Sequence, residues 1–301
     1  MEPAMHQQTK ATLLTLAAVA FWGTAATAFK IALAHVAPYT LLLYSAAVST
    51  LALLTILLLQ GKLAALRTIP PAMLRKALLL GALNPFLYYV ILFKAYALLP
   101  GQIAMSLNYG WPLVLTLLSA PILKQPLGRS QLAAVALSFL GAIIIATKGE
   151  FIHFGDVSRT GLLLAGGSTL IWAAYWLLNA KDGLDPVLKL FLGFCSGLTC
   201  ALVCSPLFGG VVWPPAAAWP ALVYIGLFEM SITFALWLTA LQLTSTAARL
   251  GNLIYLSPFL SLCFLSLIIG ERIHPATFLG LSVIIASIVF QEVCKHRQSR
   301  R

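Results

Sequence analysis

The amino-acid sequence predicts an all-α integral membrane protein with ten transmembrane helices, arranged as two inverted repeats of five. Three observations lead to this prediction. Apolar residues make up 60% of the 301 positions and charged residues only 9%, whereas a soluble domain usually carries about 25% charge. Long apolar stretches follow one another with few charges between them. Finally, the two halves of the chain can be aligned with each other.

A transmembrane helix needs roughly 20 apolar residues, and charges, Pro and Gly mark where each apolar stretch ends. In the first half, these breaks give segments near 11–34, 39–60, 73–98, 101–121 and 129–148. In the second half, they give segments near 160–180, 186–209, 216–241, 245–270 and 274–294. The first segment is longer than the core of a signal peptide, so we expect it to be retained as a helix.

Alignment of the halves predicts one repeat over residues 1–150 and a second over residues 151–301, together forming one membrane domain. At an offset of 145 residues, for example, Gly81 matches Gly226. A repeat of five helices crosses the membrane an odd number of times, so the second copy enters it upside down. Inverted repeats are typical of transporters, whose halves open a central cavity alternately to either side. A duplicated channel or membrane enzyme is the alternative.

The orientation of the chain follows from its Lys and Arg residues, which collect in cytoplasmic loops. With the amino terminus inside, thirteen of the 19 fall on the cytoplasmic side and at most five on the outer side. Both termini are therefore expected in the cytoplasm. Because these charges lie in loops between apolar stretches, the net charge of +11 does not indicate nucleic-acid binding.

Polar side chains within apolar helices indicate where a cavity lies, because in lipid they are costly unless they pair or face water. In the sixth helix, four aromatic or amide residues recur at i, i+3, i+4 and i+7 and share one face: Trp172, Tyr175, Trp176 and Asn179. The other helices add the substrate-binding candidates Trp22, Asn84, Tyr88, Asn108, Trp111, Trp237, Asn252 and Tyr255. For any single aromatic residue, anchoring at the membrane interface is an equally good explanation.

Three charged residues are candidates for proton coupling or for binding a charge on the substrate. Glu229 is the only acidic residue deep within a predicted span, and it matches Asn84 at the offset of 145. It is a candidate for binding a proton or an amine; a structural hydrogen bond to a neighbouring helix is the alternative. Lys94 and Arg249 would suit an anionic group such as a carboxylate or phosphate. Their long side chains also allow them to reach a membrane interface, and this interpretation is favoured.

Signatures of soluble catalysis are absent from the sequence, which contains no HExxH, no GxSxG and no P-loop. We therefore expect no enzyme activity, no catalytic residue and no cofactor. The five cysteines lie within or at the ends of apolar helices, without a CxxC or a Cys/His cluster. No disulfide and no metal site is expected.

A glycine pair in the seventh helix bears on helix packing. Gly193 and Gly197 form a GxxxG spacing, which favours close contact between helices or dimerisation. The oligomeric state stays open, with a monomer as our expectation.

Short motifs connect the sequence to a known family. The run Phe-Trp-Gly at 21–23 on the first helix and Gly-Glu-Arg at 270–272 closing the ninth, combined with ten helices in two inverted sets, resemble the drug/metabolite transporter superfamily, EamA type. The first half departs from this pattern, because Lys-Gln-Pro at 124–126 stands where a Gly-Glu pair is usual. Within the superfamily, the aromatic-rich third, fourth and sixth helices are similar to those of YddG-type exporters of aromatic amino acids.

This resemblance implies a multi-pass protein of the bacterial inner membrane that exports aromatic and other amino acids or small metabolites. It implies alternating access through a central cavity between the repeats, with a small molecule as substrate and the lipid bilayer as surroundings. The alternatives are a transporter of phosphorylated metabolites or nucleotide sugars, which requires Lys94 and Arg249 to point inward, and a membrane enzyme. Energy coupling stays open, since a uniporter needs no titratable group and a proton antiporter does.

Overall fold

The computed structural model describes residues 2–111, 114, 117–118, 129–146, 149, 157–179, 184–243, 253 and 256–298. Within these residues, the protein is helical and contains no β-strand. The helices of the first half are α1 (Glu2–Leu33), α2 (Pro38–Leu59), α3 (Pro71–Leu98), α4 (Gly101–Asn108) and α5 (Arg129–Ala146).

The helices of the second half follow the same order. They are α6 (Arg159–Asn179), α7 (Pro186–Cys204), α8 (Trp219–Tyr224, continuing through Ile225–Ile232 to Thr233–Leu243), α9 (Ser257–Phe264, continuing through Leu265–Ile269) and α10 (Pro275–Gln298). Single 3-10 turns lie at Leu63–Thr68, Ser205–Phe208 and Ala216–Ala218. Helices α2 and α7 agree with the predicted segments 39–60 and 186–209 to within a few residues. Helix α4 ends at Asn108 and α9 begins at Ser257, so these two helices as described are shorter than the predicted segments 101–121 and 245–270.

Several helices have the composition of membrane spans. In the described part of the chain, five are long and apolar enough to cross a bilayer: Thr9–Leu33, Pro38–Leu59, Pro71–Leu98, Pro186–Phe208 and Ala216–Ala240. Shorter apolar helices lie at Ala136–Ile145, Ser257–Ile269 and Pro275–Ser287. Large apolar side chains cover the outer surface, among them Leu59 at 83%, Leu163 at 78% and Leu267 at 82% exposure. Such a surface fits lipid rather than water, in agreement with the predicted helical membrane protein.

Proline fixes where some of these helices begin. Pro38 and Pro186 stand in the first turns of α2 and α7. A backbone N–H would have no helical partner at this position, so its absence from proline costs nothing there. The two starts differ in one respect: Asp185 caps α7 by accepting hydrogen bonds from the backbone N–H groups of Val187 and Leu188, both at 3.1 Å.

Helix packing joins the two halves in matching pairs. Helix α1 packs against α8 and α9, while α6 packs against α3 and α4. Helix α2 contacts α7 and α8, and α3 likewise contacts α7. Helix α5 pairs with α10. If each helix is replaced by its counterpart in the other half, α1 by α6, α2 by α7 and so on, the same set of helix pairs is obtained.

Glycine allows α3 and α7 to cross with their backbones in contact. A Cβ atom on Gly81 would lie 2.1 Å from the carbonyl oxygen of Gly193, and one on Gly197 would lie 2.6 Å from Cγ of Pro85. The GxxxG pair of α7 therefore makes a close contact within the chain, which was one of its two predicted roles. Dimerisation is not needed to explain it.

The matching contact in the other half joins α8 to α2. A Cβ atom on Gly226 would lie 2.6 Å from Cβ of Val48. Gly81 and Gly226 differ by 145 residues, and so do Val48 and Gly193. The same offset thus relates both members of the two contacts.

Helices α3 and α8 are each interrupted near the middle. In α3, Asn84 has φ −148° and ψ 119°, an extended conformation inside a helix, and Pro85 follows it. In α8, the chain winds as a π-helix over Ile225–Ile232. Asn84 and Glu229 occupy aligned positions in these two interruptions. Irregular winding of this kind frequently accompanies functional sites in helices.

Candidate substrate cavity

A cavity lies between the two halves, where α1, α3, α4, α6, α8 and α9 meet. Its walls are mostly aromatic and apolar, and its lining residues are Trp22, Ala25, Ala26, Phe29, Tyr88, Leu92, Tyr96, Met105, Asn108, Tyr109, Trp111, Trp172, Trp176, Glu229, Trp237 and Ser261. Its volume is about 60 Å³, which suffices for a few water molecules at about 10–15 Å³ each. A ligand the size of an amino acid therefore requires side chains to move aside.

Two pairs of aromatic residues form matching walls of this cavity. Trp22 of α1 meets the edge of Trp237 of α8, with ring centroids 5.9 Å apart. Tyr88 of α3 stacks on Trp172 of α6, with ring centroids 4.7 Å apart. Trp176 stands edge-on to Trp172 at 5.7 Å. Ring pairs in these geometries attract one another, so the walls form a continuous aromatic surface that an aromatic ligand can join.

Asn108 is held by hydrogen bonds at both ends of its amide. The Tyr88 hydroxyl donates to Asn108 Oδ1 at 3.3 Å, and Asn108 Nδ2 donates to the Ser168 hydroxyl at 2.9 Å. Ser168 in turn donates to the Ala165 carbonyl at 2.7 Å. To hold a substrate, Asn108 would have to use its remaining donor and acceptor capacity or release one of these partners.

Glu229 brings a carboxylate to this aromatic cavity. Its side chain is only 8% exposed, and Oε1 accepts a hydrogen bond from the Tyr89 hydroxyl at 3.3 Å. Its second oxygen, Oε2, is buried and has no hydrogen-bond partner among the described residues. A buried acceptor without a partner is costly, especially when it is charged. A proton or a cationic ligand at Oε2 would satisfy it.

The remaining polar groups on the cavity wall are hydroxyls and the indole N–H groups of the lining tryptophans. Ser261 Oγ is buried and has no hydrogen-bond partner in the part of the chain that the structure describes. The Tyr109 hydroxyl is hydrogen-bonded to Ser257. The described lining includes no Lys, Arg or His. The described lining therefore offers one carboxylate and several neutral groups, which are hydroxyls, the Asn108 amide and indole N–H groups.

The junction between α3 and α4 is tied to the end of α9. Glu271 accepts hydrogen bonds from the backbone N–H groups of Gly101, at 2.8 Å, and Gln102, at 3.2 Å. The Gln102 side chain accepts from the backbone N–H of His274 and donates to the Arg272 carbonyl. Carboxylates are favourable at helix amino termini, where backbone N–H groups lack partners. The motif at 270–272 thus caps α4.

Seven of the predicted substrate-binding residues line the cavity: Trp22, Tyr88, Asn108, Trp111, Trp172, Trp176 and Trp237. Tyr175 and Asn179 are buried on α6 without lining it. Asn84 is 2% exposed and does not line it either. Asn252 and Tyr255 lie outside the described residues. A binding role for any of these residues stays a prediction.

The three predicted charged residues have different positions. Glu229 lines the cavity, and its hydrogen bond to Tyr89 also gives it the structural contact that was the alternative. Lys94 is exposed on α3 and is not part of the lining, and its reach to a membrane interface stays a prediction. Arg249 lies outside the described residues.

Sequence reasoning missed several lining residues, namely Phe29, Leu92, Tyr96, Met105, Tyr109 and Ser261. Phe29 stands seven residues after Trp22, and Tyr96 stands eight residues after Tyr88. Both spacings return to the same face of a helix. The phase argument that was applied to the sixth helix would have found these two on the first and third.

Comparison with known proteins identifies the family. The EamA-like transporter family matches the chain twice, over residues 9–147 and over residues 159–291. The chain belongs to this family. It is therefore a multi-pass membrane transporter and not an enzyme, as the sequence predicts. One family description thus matches two separate stretches of the chain.

Individual relatives include transporters of amino acids. The aromatic amino acid exporter YddG of Ancylobacter novellus is 30% identical over 180 residues, which are 58% of this chain and 61% of the exporter. The match thus spans less than two thirds of that exporter. The threonine/homoserine exporter RhtA of Escherichia coli K12 is 25% identical over 228 residues, 73% of this chain and 70% of RhtA. PecM of Dickeya dadantii is 25% identical over 243 residues, 78% of this chain and 77% of PecM.

A protein solved by crystallography shares the fold. Its structure superimposes with a TM-score of 0.68 and covers 96% of this chain and 99% of its own. The sequence identity is 23%, so this similarity concerns the fold alone.

Proposed function

We propose that this transporter exports aromatic amino acids across the bacterial inner membrane, by alternating access of the cavity between two inverted repeats of five transmembrane helices. The observation that carries the proposal is the cavity itself. It lies where the two halves meet, its walls are aromatic, and it contains one carboxylate with an unpartnered oxygen. The similarity to an aromatic amino acid exporter over 58% of the chain supports the same substrate class.

Several observations support the inverted repeat. The family matches over 9–147 and 159–291, the helix pairs correspond when the halves are exchanged, and the contacts of Gly81 and Gly226 correspond at one offset. Five helices in each half give ten spans, and both termini are then on the same side of the membrane. The distribution of Lys and Arg favours the cytoplasmic side.

The cavity suggests how an aromatic amino acid is held. Its ring would lie between the pair Trp22–Trp237 and the pair Tyr88–Trp172, after these side chains move apart. Its ammonium group would bind Glu229 Oε2, and its carboxylate would accept a hydrogen bond from the Ser261 hydroxyl. Each of these groups lines the cavity, and each of the two polar atoms has no partner in the described structure.

Other amino acids fit the same scheme, because Glu229 and Ser261 contact only the groups that all amino acids share. The similarity to a threonine/homoserine exporter supports this wider range. A phosphorylated substrate fits less well. It requires cations in the cavity, whereas Lys94 is exposed outside it and the described lining has no basic residue.

The proposal is tested by reconstituting the purified protein in liposomes and measuring flux of labelled tryptophan, with and without an imposed pH gradient. Facilitated transport predicts flux down the tryptophan gradient that exceeds the flux in protein-free liposomes. Lys94→Gln is the matched control for charge, since it removes an exposed charge outside the cavity and should leave this flux unchanged. Absence of tryptophan flux under both conditions, together with flux of a sugar phosphate, would overturn the proposal.

A further inference from the structure

The charge balance of the cavity distinguishes one class of ligand from another. Glu229 is the one carboxylate in the described lining, which contains no Lys, Arg or His. With Glu229 ionised, a zwitterionic amino acid leaves the filled cavity with a net negative charge. A ligand with a single positive charge leaves it neutral. Unbalanced charge is expensive to bury away from water, and this difference favours the cation.

Aromatic rings line the same cavity as this carboxylate. Tyr89 donates its hydroxyl hydrogen bond to Glu229 Oε1, and the Tyr88 ring lies 4.8 Å from the ring of Tyr89. Tyr88 in turn stacks on Trp172, which also lines the cavity. Ring faces attract cations, and cages of aromatic side chains recognise ammonium groups in proteins. A cavity lined by a carboxylate and several rings therefore contains both elements of an organic-cation site.

The carboxylate of an amino acid would meet no cationic side chain in the described lining. The groups available to it are neutral donors: the hydroxyl of Ser261, the amide of Asn108 and the indole N–H groups of the lining tryptophans. A neutral hydroxyl supplies a hydrogen bond without balancing the charge. A hydrogen bond from a neutral donor to a carboxylate is strengthened by the charge of the acceptor, but the ligand's carboxylate and Glu229 would still be two negative charges facing a single ammonium group.

We infer that the cavity takes monocationic aromatic amines, molecules that keep the ring and ammonium group of an aromatic amino acid but lack its carboxylate. The ammonium binds Glu229 Oε2, and the ring joins the aromatic walls. This inference rests on the proposed function, because it uses the same cavity and the same route. It adds that the carboxylate of the substrate is dispensable and that its removal strengthens binding.

The first test compares three indole compounds on the wild-type protein. Tryptophan is a zwitterion, tryptamine a cation and indole-3-propionate an anion, and the three share the same ring. Each competes at equilibrium with labelled tryptophan bound to purified protein in detergent. We expect tryptamine to bind at least about tenfold more tightly than tryptophan, and indole-3-propionate to bind most weakly. Equal competition by tryptamine and indole-3-propionate overturns the inference.

Variants test whether Glu229 is responsible for the preference for tryptamine. Glu229→Gln should weaken tryptamine binding about ten- to 100-fold, the range expected when a hydrogen bond to a charged group is lost, and should leave indole-3-propionate unaffected or improved. Glu229→Asp keeps the charge and should keep the preference for the amine. Glu271→Gln is the matched control, because this carboxylate caps α4 and does not line the cavity. It should leave the ratio of the three affinities unchanged.

The outcomes separate this inference from the proposed function. If labelled tryptophan crosses the liposomes but tryptamine binds no better than tryptophan, the export proposal stands and this inference falls. If tryptamine binds tightly and labelled tryptophan does not cross, the cation site stands and amino acid export falls. Because the wild-type comparison decides the point without any variant, a Glu229→Gln protein that fails to fold does not leave it open.

Discussion

In the first half of the chain, the interruption of α3 contains Asn84; in the second half, the aligned interruption of α8 contains Glu229. Both side chains are more than nine-tenths buried, and both have polar atoms without a partner in the described structure. Only Glu229 lines the cavity. The two halves thus share a backbone plan, while the carboxylate of the cavity comes from one of them.

The same asymmetry extends along the sequence. Residues 3–149 contain no Asp or Glu. Asp185 caps α7 in the second half, whereas Ala37 precedes α2 and provides no side-chain cap. Glu271 caps α4, whereas the residue that matches it at an offset of 146 is Gln125, which lies outside the described residues. Acidic side chains with specific partners therefore lie in the second half, at positions where the first half has none.

The largest expected effect is that of Glu229→Gln on energy coupling. A proton and an ammonium group satisfy the same oxygen, so they exclude each other at Glu229, as exchange requires. If the protein is a proton antiporter, the variant in liposomes should lose all stimulation of tryptophan flux by a pH gradient and keep a flux down the tryptophan gradient. A variant whose stimulation equals that of the wild type would remove Glu229 from the coupling mechanism.

The second largest effect is expected on stability, from substitution of a glycine at the contact between α3 and α7. Gly81→Ala places a methyl group 2.1 Å from the Gly193 carbonyl oxygen, so we expect a loss of at least about 1–3 kcal/mol or failure to fold. Gly193→Ala is the matched control, because its nearest neighbour would be 3.7 Å away, at an ordinary contact distance. Thermal unfolding in detergent measures both. Equal losses would show that the observed crossing of α3 and α7 is wrong.

A smaller effect is expected at Asp185, which both caps α7 and pairs with Lys62 at 2.7 Å. Asp185→Asn keeps a good helix cap and loses the ion pair, which at a partly exposed site contributes about 0.2–1 kcal/mol. Asp185→Ala loses both and should cost roughly 0.5–2 kcal/mol more. Helix α2 begins at Pro38 without a side-chain cap, so a helix with proline in its first turn can form without one. A lower unfolding temperature for Asp185→Asn than for Asp185→Ala would contradict the role of Asp185 as a helix cap.

Lowering the pH should remove the contribution of the Lys62–Asp185 ion pair to stability. Burial alone would raise the pKa of Asp185, but hydrogen bonds from Lys62 and from the backbone N–H groups of Leu188 and Val187 outweigh it and hold the pKa below its usual value. A lowered pKa in the folded state stabilises the protein above the unfolded pKa, and this stability is lost as the pH falls below about 4. The difference in unfolding temperature between wild type and Asp185→Asn should therefore shrink between neutral pH and about pH 3.

The smallest effect is expected for Asn84→Leu, although Asn84 is a predicted substrate ligand. The substitution removes amide atoms that are buried without partners in the described structure, so stability should be unchanged or higher. Tryptophan affinity should stay within about twofold, since Asn84 does not line the cavity. A loss of tenfold or more would restore Asn84 as a ligand and make the two interruptions functionally equivalent.

Much of the fold follows from the sequence, because in lipid both span length and span boundaries are fixed by apolar runs and their breaks. The predicted segments 39–60 and 186–209 correspond to helices at Pro38–Leu59 and Pro186–Phe208. The interruptions of α3 and α8 are harder to predict from the sequence. Pro85 is a visible signal for the first, but the π-helix of α8 contains no proline and depends on packing against α1 and α2.

The cavity was predicted in part, because helical phase shows which residues share a face but not which faces meet. Trp172 and Trp176 share a face with Tyr175 and Asn179, yet only the first two line the cavity. The hydrogen bonds of Asn108 join α3, α4 and α6. Its partner Ser168 lies 60 residues further along the chain, and a local sequence pattern does not predict such a contact. Long-range partners of this kind become visible only in the folded protein.

The most direct test of the central claim, that the aromatic cavity between the halves binds the substrate, uses two tryptophans in contrasting places. Trp172 stacks on Tyr88 in the cavity wall, whereas Trp213 is 75% exposed in the segment after α7. The affinity for labelled tryptophan is measured on purified Trp172→Leu and Trp213→Leu proteins. The account predicts at least about a fivefold loss for Trp172→Leu, since a ring contact and its buried area are removed, and no change for Trp213→Leu. Equal affinities in the two variants would contradict it.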